Sequence, residues 1–182
     1  MSKDGWCVWV TGLSGSGKSV IVETLTKKLK KQNVHAQAVS VDMLRHVMTP
    51  KPTYSEAERD MVYAAIAFIA KLLTQNGVNV VVDATGNRRR YRDNARKMIS
   101  RFMEAYVRCL LEICIERESK RGRRFMAPKD IYERGLSSEA STVPGLGVPY
   151  EEPLHPEVTV DSDRMSSEEC AQRIQNAITT HV

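Results

Sequence analysis

Apolar residues in this chain fall into short solid runs, separated by longer stretches where they recur at helical spacing. Trp6-Cys-Val-Trp-Val10 is an apolar run of strand length. Val20 to Lys31 alternates apolar and polar residues with no Gly or Pro, which predicts a helix. Val34 to Val41 reads as a second strand ending at Asp42, and Pro50 and Pro52 break the chain after it. Tyr54 opens a long helix: Ser55 is its N-cap, Glu58 completes a capping box, and Met61, Ala65, Phe68, Ile69 and Leu72 carry it to Gln75. Asn76-Gly77 ends it. Val78 to Ala84 is apolar except for Asn79, as expected of a strand buried on both faces. Arg88 to Phe102 reads as a basic helix, Ala105 to Leu111 as a fourth strand, and Glu112 to Lys120 as a fourth helix. Residues 121 to 156 carry Gly, Pro and many charges, with one short helical piece around Asp130 to Arg134. Val158-Thr-Val160 is a fifth strand, and Ser166 with Glu169 caps a last helix.

Strands therefore alternate with helices. The expected fold is α/β: one domain over residues 1–182, with a mostly parallel five-stranded sheet covered by helices on both faces. Ligands in such sheets bind beyond the carboxyl ends of the strands, so Gly12, Asp42 and Asp83 should lie near one another. A connection as long as 121–156 is seldom idle in a compact domain, and it reads as a lid.

The link between the first strand and the first helix carries the chemistry. Gly12-Leu-Ser-Gly-Ser-Gly-Lys18-Ser19 fits G-x-x-x-x-G-K-[ST], the phosphate-binding loop. Its glycines turn successive backbone N–H groups onto a bound phosphate, and the following helix N-terminus adds partial positive charge. In that reading Leu13, Ser14, Gly15, Ser16 and Gly17 line ATP, Lys18 reaches the β- and γ-phosphates, and the Ser19 hydroxyl holds Mg²⁺.

Composition narrows the class. The chain has 182 residues, 42% apolar and 27% charged, with a net charge of +5. The longest purely basic run is Arg88-Arg-Arg90 and aromatics are few, so no nucleic-acid stripe is evident. No apolar run approaches membrane-spanning length, and the start lacks the apolar core of a signal peptide. Cys7, Cys109, Cys114 and Cys170 are scattered without zinc or C-x-x-C spacing; the first two fall in expected strands. A reduced, cytoplasmic protein is the expectation. The chain is short for a motor and lacks the N-K-x-D of a guanine-nucleotide switch, which leaves a small-molecule kinase.

Such a kinase needs a carboxylate facing the acceptor hydroxyl, cations on the transferring group and a lid against water. Asp42 is the leading carboxylate, as base or as a water-mediated Mg²⁺ ligand; capping the turn Met43 to Val47 is its structural alternative. Asp83 ends another strand and is a second candidate beside Mg²⁺, with a capping role equally open. Arg45 and Arg59 sit near the same mouth and suit an anionic substrate. Tyr54 is either core or a stacking face for a base. Arg117, ahead of the basic cluster Lys120, Arg121, Arg123 and Arg124, is the candidate to close over the phosphates.

Taken together and in order, these motifs resemble those of adenylylsulfate (APS) kinases. Gly12 to Ser19 is similar to that family's G-L-S-G-x-G-K-[ST]; Asp42-Met-Leu-Arg45 resembles D-x-[IVL]-R, and Tyr54-Ser-Glu-Ala-Glu-Arg59 resembles F-S-x-x-D-R. Leu111-Glu-Ile-Cys114 with Glu116-Arg-Glu118 resembles L-E-x-C-x-x-R-D, and Pro149-Tyr-Glu-Glu-Pro153 resembles P-Y-E-x-P. Lys129-Asp-Ile-Tyr132 and Thr142-Val-Pro-Gly-Leu146 fall on its lid elements. The resemblance implies a three-layer P-loop kinase fold and transfer of phosphate from MgATP to the 3′-hydroxyl of adenosine 5′-phosphosulfate. It implies Asp42 as base, and Arg45, Tyr54, Arg59, Lys129, Thr142 and Val143 around the acceptor. It also implies a homodimer. Positions Val62, Thr85 and Gly86 fall on the substrate side by the same correspondence, but there the chain departs. Val62-Tyr-Ala-Ala65 replaces N-[IV]-R-R, and Thr85-Gly-Asn-Arg-Arg89 replaces I-S-P-Y-R. A divergent P-loop kinase of another nucleotide-linked or phosphorylated small molecule is the alternative. A nucleotide-binding regulatory protein without catalysis is disfavoured by the intact Lys18, Ser19 and Asp42.

Overall fold

The computed structural model describes residues 4–120, 131–136 and 142–182. Five strands form one sheet: β1 (Cys7–Thr11), β2 (Ala36–Ser40), β3 (Asn79–Asp83), β4 (Phe102–Arg108) and β5 (Val158–Asp161). Their order is β2-β3-β1-β4-β5, and every pairing is parallel. The helices are α1 (Lys18–Lys31), α2 (Val41–Met48), α3 (Glu56–Gln75), α4 (Arg89–Met98), α5 (Leu111–Ser119), α6 (Ile131–Leu136) and α7 (Ser167–His181).

The solid apolar runs are explained by burial on both sheet faces. Val8 and Val10 of β1, with Trp6 just before it, lie in a core with Ile21, Leu25 and Leu29 of α1 and Ile174 of α7. Cys7 and Trp9 point the other way, into a core with Val62, Tyr63, Ile66, Ala67 and Ala70 of α3 and Tyr91 and Ala95 of α4. The period of two thus sends alternate residues of one run into separate cores, with no polar face to reveal it.

Several boundaries move. β2 stops at Ser40, whose extended backbone (φ −100°, ψ 133°) caps α2, so Asp42 sits in the first helical turn rather than at a strand end. The basic helix stops at Met98, and Phe102 begins β4 instead of closing that helix. β4 therefore runs 102–108, not 105–111, and Cys109 falls just outside it. The outward face of α3 is also unexpected: Met61, Phe68 and Leu72, part of the helical pattern, are about half exposed, while Val62, Tyr63 and Ile66 are buried. Both expected N-caps form, on Ser55 and Ser166. Ser166 and Glu169 make the full reciprocal box; Glu58 accepts from Thr53 and Tyr54 instead of from Ser55. Among the described residues no helix is long and apolar enough to cross a membrane, and the four cysteines are free.

Candidate active site

The glycine loop connects β1 to α1 beside β4. A Cβ on Gly12 would lie 2.4 Å from the Val107 carbonyl oxygen. Gly15, at φ +80°, would bring one within 2.3 Å of the Cys114 carbonyl oxygen at the start of α5. Only glycine permits such close backbone approach with positive φ. Within the loop, the Lys18 ammonium donates to the carbonyls of Gly12 (2.9 Å) and Leu13 (2.8 Å). The Ser16 hydroxyl is buried and has no hydrogen-bond partner among the described residues. Tyr132 of α6 donates to the Ser14 carbonyl at 2.8 Å, so part of the expected lid rests on the loop.

Asp83, at the end of β3, belongs to this cluster. Burial pushes its carboxyl above the ordinary range, while Lys18 and a hydrogen bond from Ser19 pull it back. The donor set suits Mg²⁺, which binds a few hard oxygens and completes its shell with phosphate and water. The described residues include no cluster of three or more His, Cys, Asp or Glu side chains that could hold a metal ion.

A second group lies along α2, α3 and the loop between them. Arg45 is buried, pairs with Glu58 and stacks on the Tyr54 ring with its guanidinium carbon 4.9 Å from the centroid. Arg59, also buried, donates to the Tyr54 carbonyl (3.0 Å), to Asn87 Oδ1 (3.4 Å) and to the Thr142 carbonyl (2.5 Å). Glu58 accepts from the Thr53 N–H and hydroxyl at 2.6 and 2.8 Å, and from the Tyr54 N–H at 3.3 Å. Burial works against its charge, but these donors and Arg45 hold it below the usual carboxylate range. Tyr54 is thus gripped on its ring, its N–H and its carbonyl. It needs to be, because its φ of +55° is a left-handed conformation that costs a non-glycine residue about 1–3 kcal/mol. Burial raises its phenol and Arg45 opposes, while the charges of Asp42 and Glu58 add to the rise.

Thr85 and Gly86 are placed by their backbones. The Thr11 hydroxyl donates to the Thr85 carbonyl at 2.6 Å, and the Gly86 N–H donates to the Tyr63 hydroxyl at 3.0 Å. Gly86 has φ +52°, and a Cβ there would meet Arg92 at 3.1 Å and Trp9 at 3.3 Å. Val143 accepts from Leu146 and Val148 in the turn that places Gly145 against Leu13. Arg117 donates to Ser162, whose hydroxyl donates to the Ser16 carbonyl at 2.7 Å, which ties it to the loop's flank.

Val62 is a correction: it is fully buried in the α3 core, so its side chain contributes to packing and not to a binding surface. Lys129, with Arg121, Arg123 and Arg124, lies outside the described residues. Sequence reasoning passed over Glu58 as an anchor, and over Asn87, Ser162 and Arg92 altogether. Arg92 is 1% exposed, binds Glu104 at 2.5 Å, and donates to the carbonyls of Gly86 and Glu151. Only Glu58 had a local signal, its place in the capping pattern.

A parallel sheet of this order, a glycine loop with its lysine and serine, and a strand-end aspartate beside them define a P-loop kinase. The adenylylsulphate kinase family model matches residues 4–161. A probable adenylyl-sulfate kinase of Pyrococcus abyssi is 36% identical over 171 residues, 94% of this chain and 93% of that protein. The adenylyl-sulfate kinase of Rippkaea orientalis is 34% identical over 174 residues, covering 96% and 91%. The Mycobacterium tuberculosis APS kinase, solved with AMPPNP and APS, superposes with a TM-score of 0.85 at 29% identity, covering 97% and 98%. This chain belongs to the adenylylsulphate kinase family.

Proposed function

We propose that this chain moves the γ-phosphoryl group of ATP to the 3′-hydroxyl of adenosine 5′-phosphosulfate, giving ADP and 3′-phosphoadenosine 5′-phosphosulfate. The observation that carries the reading is the Arg45–Tyr54–Arg59 frame, built on helices that border the same strand ends as the glycine loop. ATP lies along Gly12 to Ser19. On nucleotide binding Lys18 exchanges its loop carbonyls for phosphate oxygens, and Arg117 lies on the nucleotide side. Ser19 and Asp83 would hold Mg²⁺, directly or through water, and the ion would neutralise charge on the β- and γ-phosphates. Tyr54 stacks on the acceptor's adenine, and Arg45 and Arg59 bind its phosphosulfate. Thr142 and Val143 border the same pocket through their backbones, and the family correspondence adds Lys129 to the acceptor contacts. Asp42 accepts the proton of the 3′-hydroxyl as its oxygen bonds to the γ-phosphorus and the bond to the β–γ bridging oxygen breaks. ADP carries away that electron pair.

A cytoplasmic setting accords with four free cysteines. A homodimer accords with the half-exposed stripe Met61, Phe68 and Leu72 on α3.

The test is ADP release with MgATP and low micromolar APS, followed by identification of the product, beside a panel of other nucleotides and phosphorylated sugars. Saturable turnover to the 3′-phosphorylated product is expected. Turnover with another acceptor and none with APS would overturn the substrate and favour the divergent kinase, whose marks are Val62 to Ala65 and Gly86. Asp42→Asn should lose most turnover while keeping ATP binding; a purely nucleotide-binding protein would have no turnover to lose.

A further inference from the structure

Asn87 lies between Gly86 and the N-cap of α4, is 2% exposed, and ties three parts of the acceptor side together. Its side-chain oxygen accepts from Arg59, its side-chain nitrogen donates to the Pro149 carbonyl at 3.2 Å, and its own carbonyl accepts from the Glu151 N–H at 2.7 Å. From this geometry we infer that Asn87 is a positioning residue for acceptor binding: it sets the Arg59 guanidinium and fastens the 142–151 segment to it. The inference rests on the proposed role of Arg59 in holding the acceptor's anion.

The residue type fits both partners. A guanidinium offers only donors and a carbonyl only acceptors, and the carboxamide satisfies one with each end. The two partners also fix which end is oxygen, since the flipped amide would face donor with donor. An aspartate would keep Arg59 but turn a carboxylate on the Pro149 carbonyl. Among the described residues, three of the five Arg59 N–H groups are engaged, by Tyr54, Asn87 and Thr142. The remaining two are thereby aimed rather than left to rotate, which suits two-point binding of an anion. Arg59 also holds the front of the 142–151 segment and Asn87 its rear, and the turn between them packs Gly145 on Leu13 of the glycine loop. The family pattern I-S-P-Y-R places a proline here, which has no amide to offer.

The test compares Asn87→Ala and Asn87→Asp with Arg59→Ala and the doubly substituted Arg59→Ala/Asn87→Ala. KM is measured separately for ATP and for the acceptor that the wild-type protein turns over. Asn87→Ala should raise the acceptor KM by about tenfold, the scale of one lost buried hydrogen bond, with the KM for ATP within about twofold. Asn87→Asp, which keeps the Arg59 contact, should fall between it and the wild type. The double variant should be little worse than Arg59→Ala alone, because Asn87 acts through Arg59. Equal rises in both KM values, no rise, or full additivity would overturn the inference. If Arg59→Ala raises the acceptor KM and Asn87→Ala does not, only the Asn87 inference falls. If Arg59→Ala leaves it unchanged, the reading of Arg59 falls as well. Melting curves identify a variant that fails to fold, and Asn87→Asp, whose size is nearly unchanged, then decides.

Discussion

Replacing Arg92 by Met should be among the most damaging single changes in this chain, although Arg92 lies outside every motif. Its guanidinium is buried against Glu104, whose side chain is itself only 7% exposed. Removing one partner of a buried ion pair typically costs about 3–5 kcal/mol, because the other charge is left without compensation. Arg96 stays 3.7 Å from the second Glu104 oxygen, which favours the low end of that range. The carbonyls of Gly86 and Glu151 each lose a donor, adding roughly 1 kcal/mol or less apiece. The expected loss is therefore about 4 kcal/mol, and for a chain of this length Tm should fall by roughly 8–16 °C. Urea and thermal unfolding followed by circular dichroism measure it. The decisive companion is Arg92→Met with Glu104→Leu, which removes both charges. It should recover more than half of the loss, since an apolar pair of similar size is often as stable as the buried ions. A single variant within about 1 kcal/mol of wild type, or a double variant no better than the single, would refute the reasoning.

Other changes address the site itself. Gly15→Ala must move the loop, since its Cβ would sit 2.3 Å from the Cys114 carbonyl at φ +80°; ATP affinity measured by calorimetry should fall by about tenfold or more. Asp83 has a carboxyl raised by burial, so its ionised form disfavours folding once pH exceeds the unfolded value. Asp83→Asn should then raise Tm at neutral pH while abolishing most turnover, and a lower Tm would contradict that sign. For the wild type, kcat/KM should rise with pH along an acid limb above the ordinary aspartate range. If the proposed homodimer forms through the exposed stripe of α3, Phe68→Glu should lower the mass read by light scattering from dimer to monomer without changing ATP affinity; a wild-type dimer whose mass the substitution leaves unchanged would place the contact elsewhere.

What the sequence disclosed follows the range of the interactions involved. The glycine loop was legible because eight consecutive residues hold the whole device. The strands were legible because burial on both faces leaves solid apolar runs, as in Trp6 to Val10. The end of β2 was not, because Val34 to Val41 is a continuous apolar-leaning run with no Gly or Pro to punctuate it; only Ser40, an inconspicuous cap, separates strand from helix. The start of β4 was hidden by Glu104, which reads as a surface charge until Arg92 and Arg96 are placed around it. The buried face of α3 was ambiguous because apolar residues surround much of that helix, so periodicity marked a helix without choosing its inner side. Val62 was assigned by correspondence with a motif whose polar residue this chain lacks, and the core took the position.

The two halves of the site differ in the same way, and this bears on where specificity resides. The nucleotide half is a contiguous loop whose lysine is held by its own backbone carbonyls, so it specifies little beyond phosphate. The acceptor half draws on α2, α3, the β3–α4 loop and the 142–151 segment. Among the described residues, one of its cations is already matched by an anion: Glu58 pairs with Arg45. That pairing reduces the net attraction of Arg45 for an anion. Selection must then come from directed N–H groups and from the shape set by Tyr54 in its strained conformation. That makes the residues which aim those groups, Glu58 and Asn87, as consequential for the choice of acceptor as the arginines that would touch it.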